Sequence, residues 1–552
     1  MAHKTLATVR ARWGQPVDRE RQMPAIAASH RSRVTNLGSS GSLDDRTWED
    51  LNLDAVFAAL DRTESTLGQH ALYHRIRTAP VADHLALFET LVTRLEADAG
   101  LRERAQLALG RLRDPHGYDL WWLARPDAIE TRPWYAFFPV LTAVTVLLLV
   151  LAPITAQVIP ALIAAVVINI VVRYATDRRI GAVAGAFRQI APVIATGQAL
   201  RFLGADKVEP LIGSLQVDGP RLRQLKTIAR WVSGDPLMLS LSAGPFAVVV
   251  SDVANSIYEY LNLAFLLDAN GVYFGARALS EHRTGLLRLV MAIGEVDAAI
   301  SVASFRAGRN DWARPHLQPA CTPATLADIR HPLVADAVPN SISLELGGGV
   351  LITGSNMSGK STFLRTVGVT TVLAQTLNTC LATTYDAPVF NVRTCIGRSD
   401  DLVTGKSYYI AEVESLLGLV TASTGAVPHL FLLDELFRGT NAIERIAAAQ
   451  AVLQELVAGS SGPKPHVVLA ATHDGELVDL LPDSYAAHHF GDAIGPAGLT
   501  FDHRLKTGPA TTRNAIALLQ LHGAPEELIR RALRCAEALD RQRGTTLVAR
   551  QS

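Results

Sequence analysis

The chain has little of what staples, exports or globally charges a protein. Its 552 residues include four cysteines, Cys321, Cys380, Cys395 and Cys535, and none forms a C-x-x-C pair. That spacing excludes the common cysteine zinc sites and points to a reducing compartment. Charged residues make up 19% of the chain, and 52 basic side chains balance 52 acidic ones. A balanced chain has no global field to steer an anionic partner, so any basic surface must be local. The opening stretch MAHKTLATVRARWGQ lacks an apolar h-region, which argues against a secretory signal. No internal repeat is visible.

Apolar residues are plentiful, at 49%. The length suits roughly three or four domains. From Pro133 to Val172 there is no charge at all, and within that block Gln157 and Asn169 are the strongly polar residues. A single membrane span needs about 20 apolar residues. The block is about twice that, with Pro153 and Pro160 bracketing ITAQVI near its middle. This is the pattern of a transmembrane helical hairpin, with one span over about Trp134 to Leu151 and a shorter one from about Ala161 to Val172 that must recruit its flanks. Arg125 and Arg132 precede the block, and Arg173, Arg178 and Arg179 follow it. Positive charge on both sides favours two cytoplasmic ends, hence a cytoplasmic membrane location with the remaining domains in the cytoplasm. PLMLSLSAGPFAVVV (236–250) and YLNLAFLLDANGVYF are shorter, and are expected to pack as core or to lie near the membrane.

The organisation expected is a basic N-terminal arm over 1–33, a first helical core segment over 34–125, the hairpin over 126–176, a second helical core or lever segment over 177–318, and an α/β domain over 319–552. The arm holds seven Lys and Arg against two acids, the composition of a solvated segment or a contact for anionic phosphate or lipid. RPHLQPACTP reads as a proline-rich joint. After it, short apolar runs alternate with helical patterns: GVLITG, HLFLLDEL, VVLAATH and LTFDHRL. That alternation argues for α/β architecture. The fold class expected is therefore an α/β P-loop domain plus an all-α core carrying the hairpin.

GSNMSGKST (354–362) matches G-x-x-x-x-G-K-[ST] between an expected strand and an expected helix. In such a loop, Gly354, Ser355, Asn356, Met357, Ser358 and Gly359 present backbone N–H groups to phosphate oxygens. Lys360 reaches the β- and γ-phosphates, and Ser361, followed by Thr362, offers a hydroxyl to Mg²⁺. The helix that starts there adds the positive end of its dipole. HLFLLDEL places Asp434 and Glu435 at a strand end, where one carboxylate can hold Mg²⁺ through water and the other can polarise the attacking water. VVLAATH ends in His473, which can sense the γ-phosphate or orient water. In GRSDDLVTGKSYYIAEVESLLGLV, Gly405, Lys406 and Ser407 sit near a helix start. They read as a simple N-cap or as a contact to phosphate, including that of another subunit.

Together these segments resemble the MutS family of ATPases, relatives of the ABC-type ATPases. ITGSNMSGKSTFLR resembles the family's phosphate loop, GRSDDLVTGKSYYIAE its signature segment, LLDELFRGTNAIE its Mg²⁺ strand and AATHDGEL its switch histidine. LTFDHRLKTGPATTRNAIALLQLHGAPEELIRRA is similar to its terminal strand, glycine turn and dimerisation helices. WEDLNLDAVFAALDRTESTLGQHALYHRI and IGEVDAAISVASFRA resemble parts of its helical core. The resemblance implies ATP and Mg²⁺ as cofactors, Glu435 activating water, Asp434 and Ser361 at the metal, and His473 as the switch. It also implies Gly405 and Ser407 completing a partner's site, so that ATP closes a homodimer and hydrolysis releases it.

Two departures shape the expected function. Fewer than fifty residues precede the helical core, and nothing matches the family's mismatch-reading domain. The apolar hairpin stands where the family's DNA-clamping levers belong. The expectation is a membrane-tethered, MutS-like DNA-binding ATPase in repair or recombination, bound to the membrane through residues 133–172. The alternative is an ATP-driven membrane switch or scaffold without a DNA role.

Overall fold

A computed structural model describes residues 5–37, 43–78, 81–112, 133–203, 208–216, 257, 259–319, 322–355, 357–397, 408–422, 428–438, 440–458, 466–495, 498–510, 516, 519–520 and 522–551. Asn356, Gly405, Ser407 and the apolar stretch 236–250 lie outside the described residues. Helices α1 (Leu6–Arg12), α2 (Met23–Leu37), α3 (Asp45–Asp50) and α4 (Leu53–Leu60) open the chain. The chain divides into two compact units, one made of 1–42 and 57–310, the other of 43–56 and 311–552.

The secondary structure described in the first unit is mainly helical. It contains α5 (Thr66–Arg77), α6 (Ala82–Ala97), α7 (Ala99–Leu109), α8 (Phe137–Leu151), α9 (Ile159–Ala199) and α10 (Leu267–Ala307). Its core is knotted by Asp297. This buried carboxylate accepts the N–H groups of Glu64 and Ser65, both at 2.7 Å, and the Ser65 hydroxyl at 2.6 Å, where α5 begins. Ser65 in turn caps α5 by accepting the Gly68 N–H. Burial pushes the Asp297 carboxyl up to about 7, against the pull of those donors.

The basic arm is not a solvated tail. Arg19 and Arg21 both pair with the buried Asp61, at 2.5 and 2.9 Å, and Arg10 pairs with Glu103 at 2.7 Å. Arg102 lies over the Trp13 ring at 3.7 Å, and the Gly14 N–H donates to Ser304. Three of the arm's seven basic side chains are thus paired with acids of their own unit, and a buried Asp61 is tolerable only when paired.

Among the described residues two helices are long and apolar enough to cross a membrane, Pro133–Leu151 and Ala156–Thr176. Only 17% and 6% of their apolar windows are buried, so these are not core helices. The second apolar helix does not stop near Val172: α9 continues unbroken to Ala199.

The second unit holds two sheets. Strands β1 (His316–Gln318), β2 (Ala324–Ile329), β3 (Asn340–Leu344) and β5 (Thr384–Pro388) form one, in the order β1-β5-β2-β3. β1 occupies part of the stretch expected to be a joint. A short edge strand tolerates flanking prolines because its outer side needs no partner. The larger sheet runs β10-β9-β4-β8-β7-β6, with β4 (Gly349–Thr353), β6 (Asn391–Ile396), β7 (His429–Asp434), β8 (Val467–Ala471) and β9 (Tyr485–Gly495) parallel and β10 (Gly498–Thr507) antiparallel at the edge. All residues of β4 and β8 are buried, as expected of central parallel strands covered on both faces. Helices α11 (Lys360–Leu377), α12 (Tyr408–Ala422), α13 (Ala442–Ala458), α14 (Glu476–Leu480) and α15 (Glu526–Gln551) complete the unit.

Residues 43–56, expected in the helical core, pack with this unit instead. Asp50 accepts from the Thr394 hydroxyl at 2.7 Å and the Ile396 N–H at 3.0 Å, Arg393 pairs with Asp44 at 2.5 Å, and Arg365 donates to the Asp50 carbonyl. Leu51 packs on Gly368, where a Cβ would lie 2.6 Å from a Leu51 methyl.

Candidate active site

The site lies at the carboxyl ends of the adjacent strands β4, β8 and β7, the crevice where open α/β sheets bind ligands. After β4 the chain loops through Gly354 and Gly359 into α11. Gly354 has φ +142°, and a Cβ there would sit 2.7 Å from the Phe490 carbonyl oxygen. Gly359 has φ +117° and caps α11 in a left-handed conformation. Both positions therefore demand glycine. Ser358 folds back to donate its hydroxyl to the Ser355 carbonyl, and Met357 stands exposed at φ +71°. His503, on β10, approaches the Ser358 carbonyl at 3.0 Å, so the terminal hairpin braces the loop.

Lys360 is buried beneath this loop. Its Nζ donates to the Gly354 and Ser355 carbonyls at 2.9 and 3.0 Å, and lies 3.3 Å from His473 Nε2. Burial lowers its pKa to about 8, with Asp434 opposing the shift and Arg438 adding to it. The lysine is thus tied to carbonyls of the loop itself.

Asp434 ends β7 in register with Ala471. The Glu435 N–H still bonds the Ala471 carbonyl at 2.9 Å, but Glu435 takes φ +50° and Phe437 φ +59°. Left-handed backbone in bulky residues stores strain, which clusters at functional turns. His473, two residues beyond β8, brings Nε2 to 2.8 Å from Glu435 Oε1. Burial lowers the imidazole's pKa, and Lys360 and Arg438 lower it further, with Asp434 and Asp474 opposing the shift. Arg438 pairs with the other carboxylate oxygen, Oε2. Lys360, Asp434, Glu435 and His473 are therefore brought together. Ser361 and Thr362 follow on the first turn of α11.

The donor set fits a hard divalent cation in one respect. Asp434 Oδ1 is buried with no hydrogen-bond partner, as is Ser355 Oγ. Among the described residues no group of three or more His, Cys, Asp or Glu could hold a metal. Mg²⁺ keeps several waters and takes one or two protein ligands plus substrate phosphates. Asp434 and the Ser361 hydroxyl are the residues that would hold it.

Three contributors were missed from sequence. Arg438 lies within the quoted LLDELFRGTNAIE, and its i,i+3 spacing from Glu435 was the available signal. Glu412, on α12, accepts the Phe437 N–H at 2.7 Å, and burial raises its pKa. Arg445 holds Asp474, next to His473, by a two-pronged pair at 2.6 and 2.9 Å. Nothing local in sequence marks the last two.

Residues 350–540 match the family model described as MutS domain V. That domain is an ATPase domain of mixed α/β sheets, the class that this fold and site define. Over those residues the chain is similar to the MutS family. It is 33% identical to the DNA mismatch repair protein MutS of Lactococcus lactis subsp. cremoris (strain MG1363) over 274 residues, 47% of this chain and 32% of that protein. It is equally identical to the DNA mismatch repair protein MutS of Streptococcus pyogenes serotype M1 over 272 residues, 47% of this chain and 31% of that protein. The protein of the same name from Natronomonas pharaonis is 33% identical over 249 residues, 44% and 28% of the two chains. The chain thus spans less than a third of the length of these curated relatives.

Proposed function

We propose that this protein is a P-loop ATP hydrolase of MutS type, tethered to a membrane by residues 133–172, that binds DNA as an ATP-switched homodimer. The observation that carries the reading is the convergence of Lys360, Asp434, Glu435 and His473 beneath one glycine-cornered loop. The loop's backbone N–H groups and the N-terminus of α11 would cradle the phosphates. Lys360 would exchange its carbonyl partners for the β- and γ-phosphate oxygens. Bound Mg²⁺, held by Ser361 and Asp434, would supply charge neutralisation on the phosphates. Glu435 would orient water and take its proton as the water oxygen bonds to the γ-phosphorus and the bond to ADP breaks. His473 would fix the Glu435 carboxylate and report on the γ-phosphate. Gly405 and Ser407 would complete the partner's site.

The membrane role rests on two apolar helices left uncovered in the structure. The DNA role rests on the likeness to proteins named for DNA mismatch repair. A second reading, an ATP-driven membrane switch without DNA, is favoured by the hairpin itself. An ATPase assay on detergent-solubilised protein, with and without duplex, mismatched and branched DNA, tests both. ATP- and salt-sensitive DNA binding supports the first reading. DNA-independent turnover without DNA binding at low salt supports the second. Absence of ATP binding overturns both.

A further inference from the structure

Helix α10 does not begin freely. The segment before it, residues 259–265, is also helical, and the two are separated by Leu266 at φ +51°, fully buried and left-handed. A break in a helix leaves carbonyls without intrahelical donors. Here those carbonyls are met by side chains of the hairpin. The Asn169 amide on α9 donates to the Ala264 carbonyl at 2.7 Å and to the Thr145 hydroxyl on α8 at 3.0 Å. The Thr142 hydroxyl on α8 donates to the Phe265 carbonyl at 2.7 Å. Asn270, one turn into α10, reaches the Thr142 hydroxyl at 2.8 Å and the Leu266 carbonyl at 2.9 Å. Asn262 closes the break from the other side, accepting the Asp268 N–H at 2.9 Å and donating to the Asp268 carboxylate at 2.7 Å. Arg173, at the end of the uncharged block, lies 3.7 Å from that carboxylate.

The polar groups of the break itself are turned inward and apolar side chains stand on its outside, while the charged Glu259, one residue before Tyr260, is exposed. Tyr260 is 74% exposed and Phe274 55%, with Ile257 and Leu261 also exposed. Val140, Leu147, Val167 and Val171 on the hairpin are likewise exposed. In hydrocarbon, irregular backbone survives only where protein satisfies its polar groups, and ionisable groups there face inward and pair. A helix break exposed to water needs neither, since solvent satisfies the freed carbonyls.

We infer that residues 260–275 are a third membrane-embedded segment, a broken helix clasped to the hairpin by Thr142, Asn169 and Asn270, with lipid acyl chains covering Tyr260 and Phe274 and the exposed Glu259 marking its end at the polar boundary. The inference rests on the membrane reading of residues 133–172. It makes the membrane anchor a three-part unit whose third part continues directly into α10.

The test places a benzoylphenylalanine photocrosslinker singly at Leu147, Tyr260, Phe274 or Val81 of the full chain, in phosphatidylcholine vesicles, with lipid adducts read by intact-mass spectrometry. Val81 is 59% exposed and lies away from the hairpin in sequence. Adducts at Leu147, Tyr260 and Phe274 but not at Val81 are expected. Adducts at Leu147 alone overturn the third segment and leave the hairpin standing. No adduct at any of the three overturns the membrane reading itself. In the Asn169→Leu and Asn270→Leu double variant, the Tyr260 adduct should be lost while the Leu147 adduct persists; retention of both overturns the clasp.

Discussion

Asp434 and Glu435 are neighbours in sequence but part in conformation: Asp434 finishes the β7 ladder, while Glu435 turns through φ +50° to meet His473. One carboxylate is thereby left with an unpartnered oxygen, and the other is held on both sides.

Glu435→Gln keeps the shape and removes the proton acceptor. Steady-state ATP turnover should fall by roughly 10²–10⁴-fold while nucleotide binding persists. Turnover assays and nucleotide retention on a desalting column check this, and unchanged hydrolysis removes Glu435 from the role.

Lys360 carries the pH prediction. Its pKa in the free protein is lowered to about 8, and an anionic phosphate favours the charged form. Affinity for ATP should therefore be highest below pH 8 and decline as pH rises through it. Lys360→Ala should bind weakly at every pH and lose that decline. Fluorescent-nucleotide titrations across pH 6.5–9.5 read both.

Gly354→Ala combines a forbidden φ with a Cβ 2.7 Å from the Phe490 carbonyl. The strain should cost about 1–3 kcal/mol and fall on the loop. The expected outcome is weakened nucleotide binding with far-ultraviolet circular dichroism unchanged.

Asp297 makes stability pH-dependent. Its folded pKa, about 7, lies above the ordinary 3.8, so the folded protein holds a proton that the unfolded chain has released. Its stabilising contribution is present below pH 3.8 and is lost as pH rises through 7. The melting temperature should fall between pH 5 and 8, and Asp297→Asn should flatten that slope. Gly68→Ala tests the same knot by packing, because its Cβ would lie 2.2 Å from Asp297 Oδ2, and a loss of about 1–3 kcal/mol is expected.

Deleting residues 133–172 should release the protein from membranes while ATP hydrolysis persists, since the proposed chemistry lies wholly in the other unit. Sedimentation of membrane fractions together with turnover of the soluble protein checks it.

The candidate site was legible because its signals are local. Central parallel strands read as unbroken apolar runs, and a loop that must hold phosphate needs glycines and a lysine at fixed spacing. The hairpin was legible for a similar reason, as forty residues without charge need no partner to be noticed. What escaped depends on distant partners. Charge counting on the N-terminal arm does not show that Asp61 awaits Arg19 and Arg21. Nor does the helical pattern around Trp48 show that Asp44 and Asp50 belong to β6. The break at Leu266 has no glycine or proline to announce it, because it is stabilised by asparagines and threonines from elsewhere in the chain.

Glu412 gives the turn after β7 a second master. Its carboxylate holds the Phe437 N–H, and Phe437 is itself sunk in the hydrophobic core. Helix α12 begins directly after the segment that contains Gly405 and Ser407. A rotation or slide of α12 therefore pulls on a backbone amide two residues from Glu435, by a single hydrogen bond and without deforming the sheet. The carboxylate's aim is set jointly by the strand that carries it and by a helix more than twenty residues upstream, so the timing of one can be read out in the other.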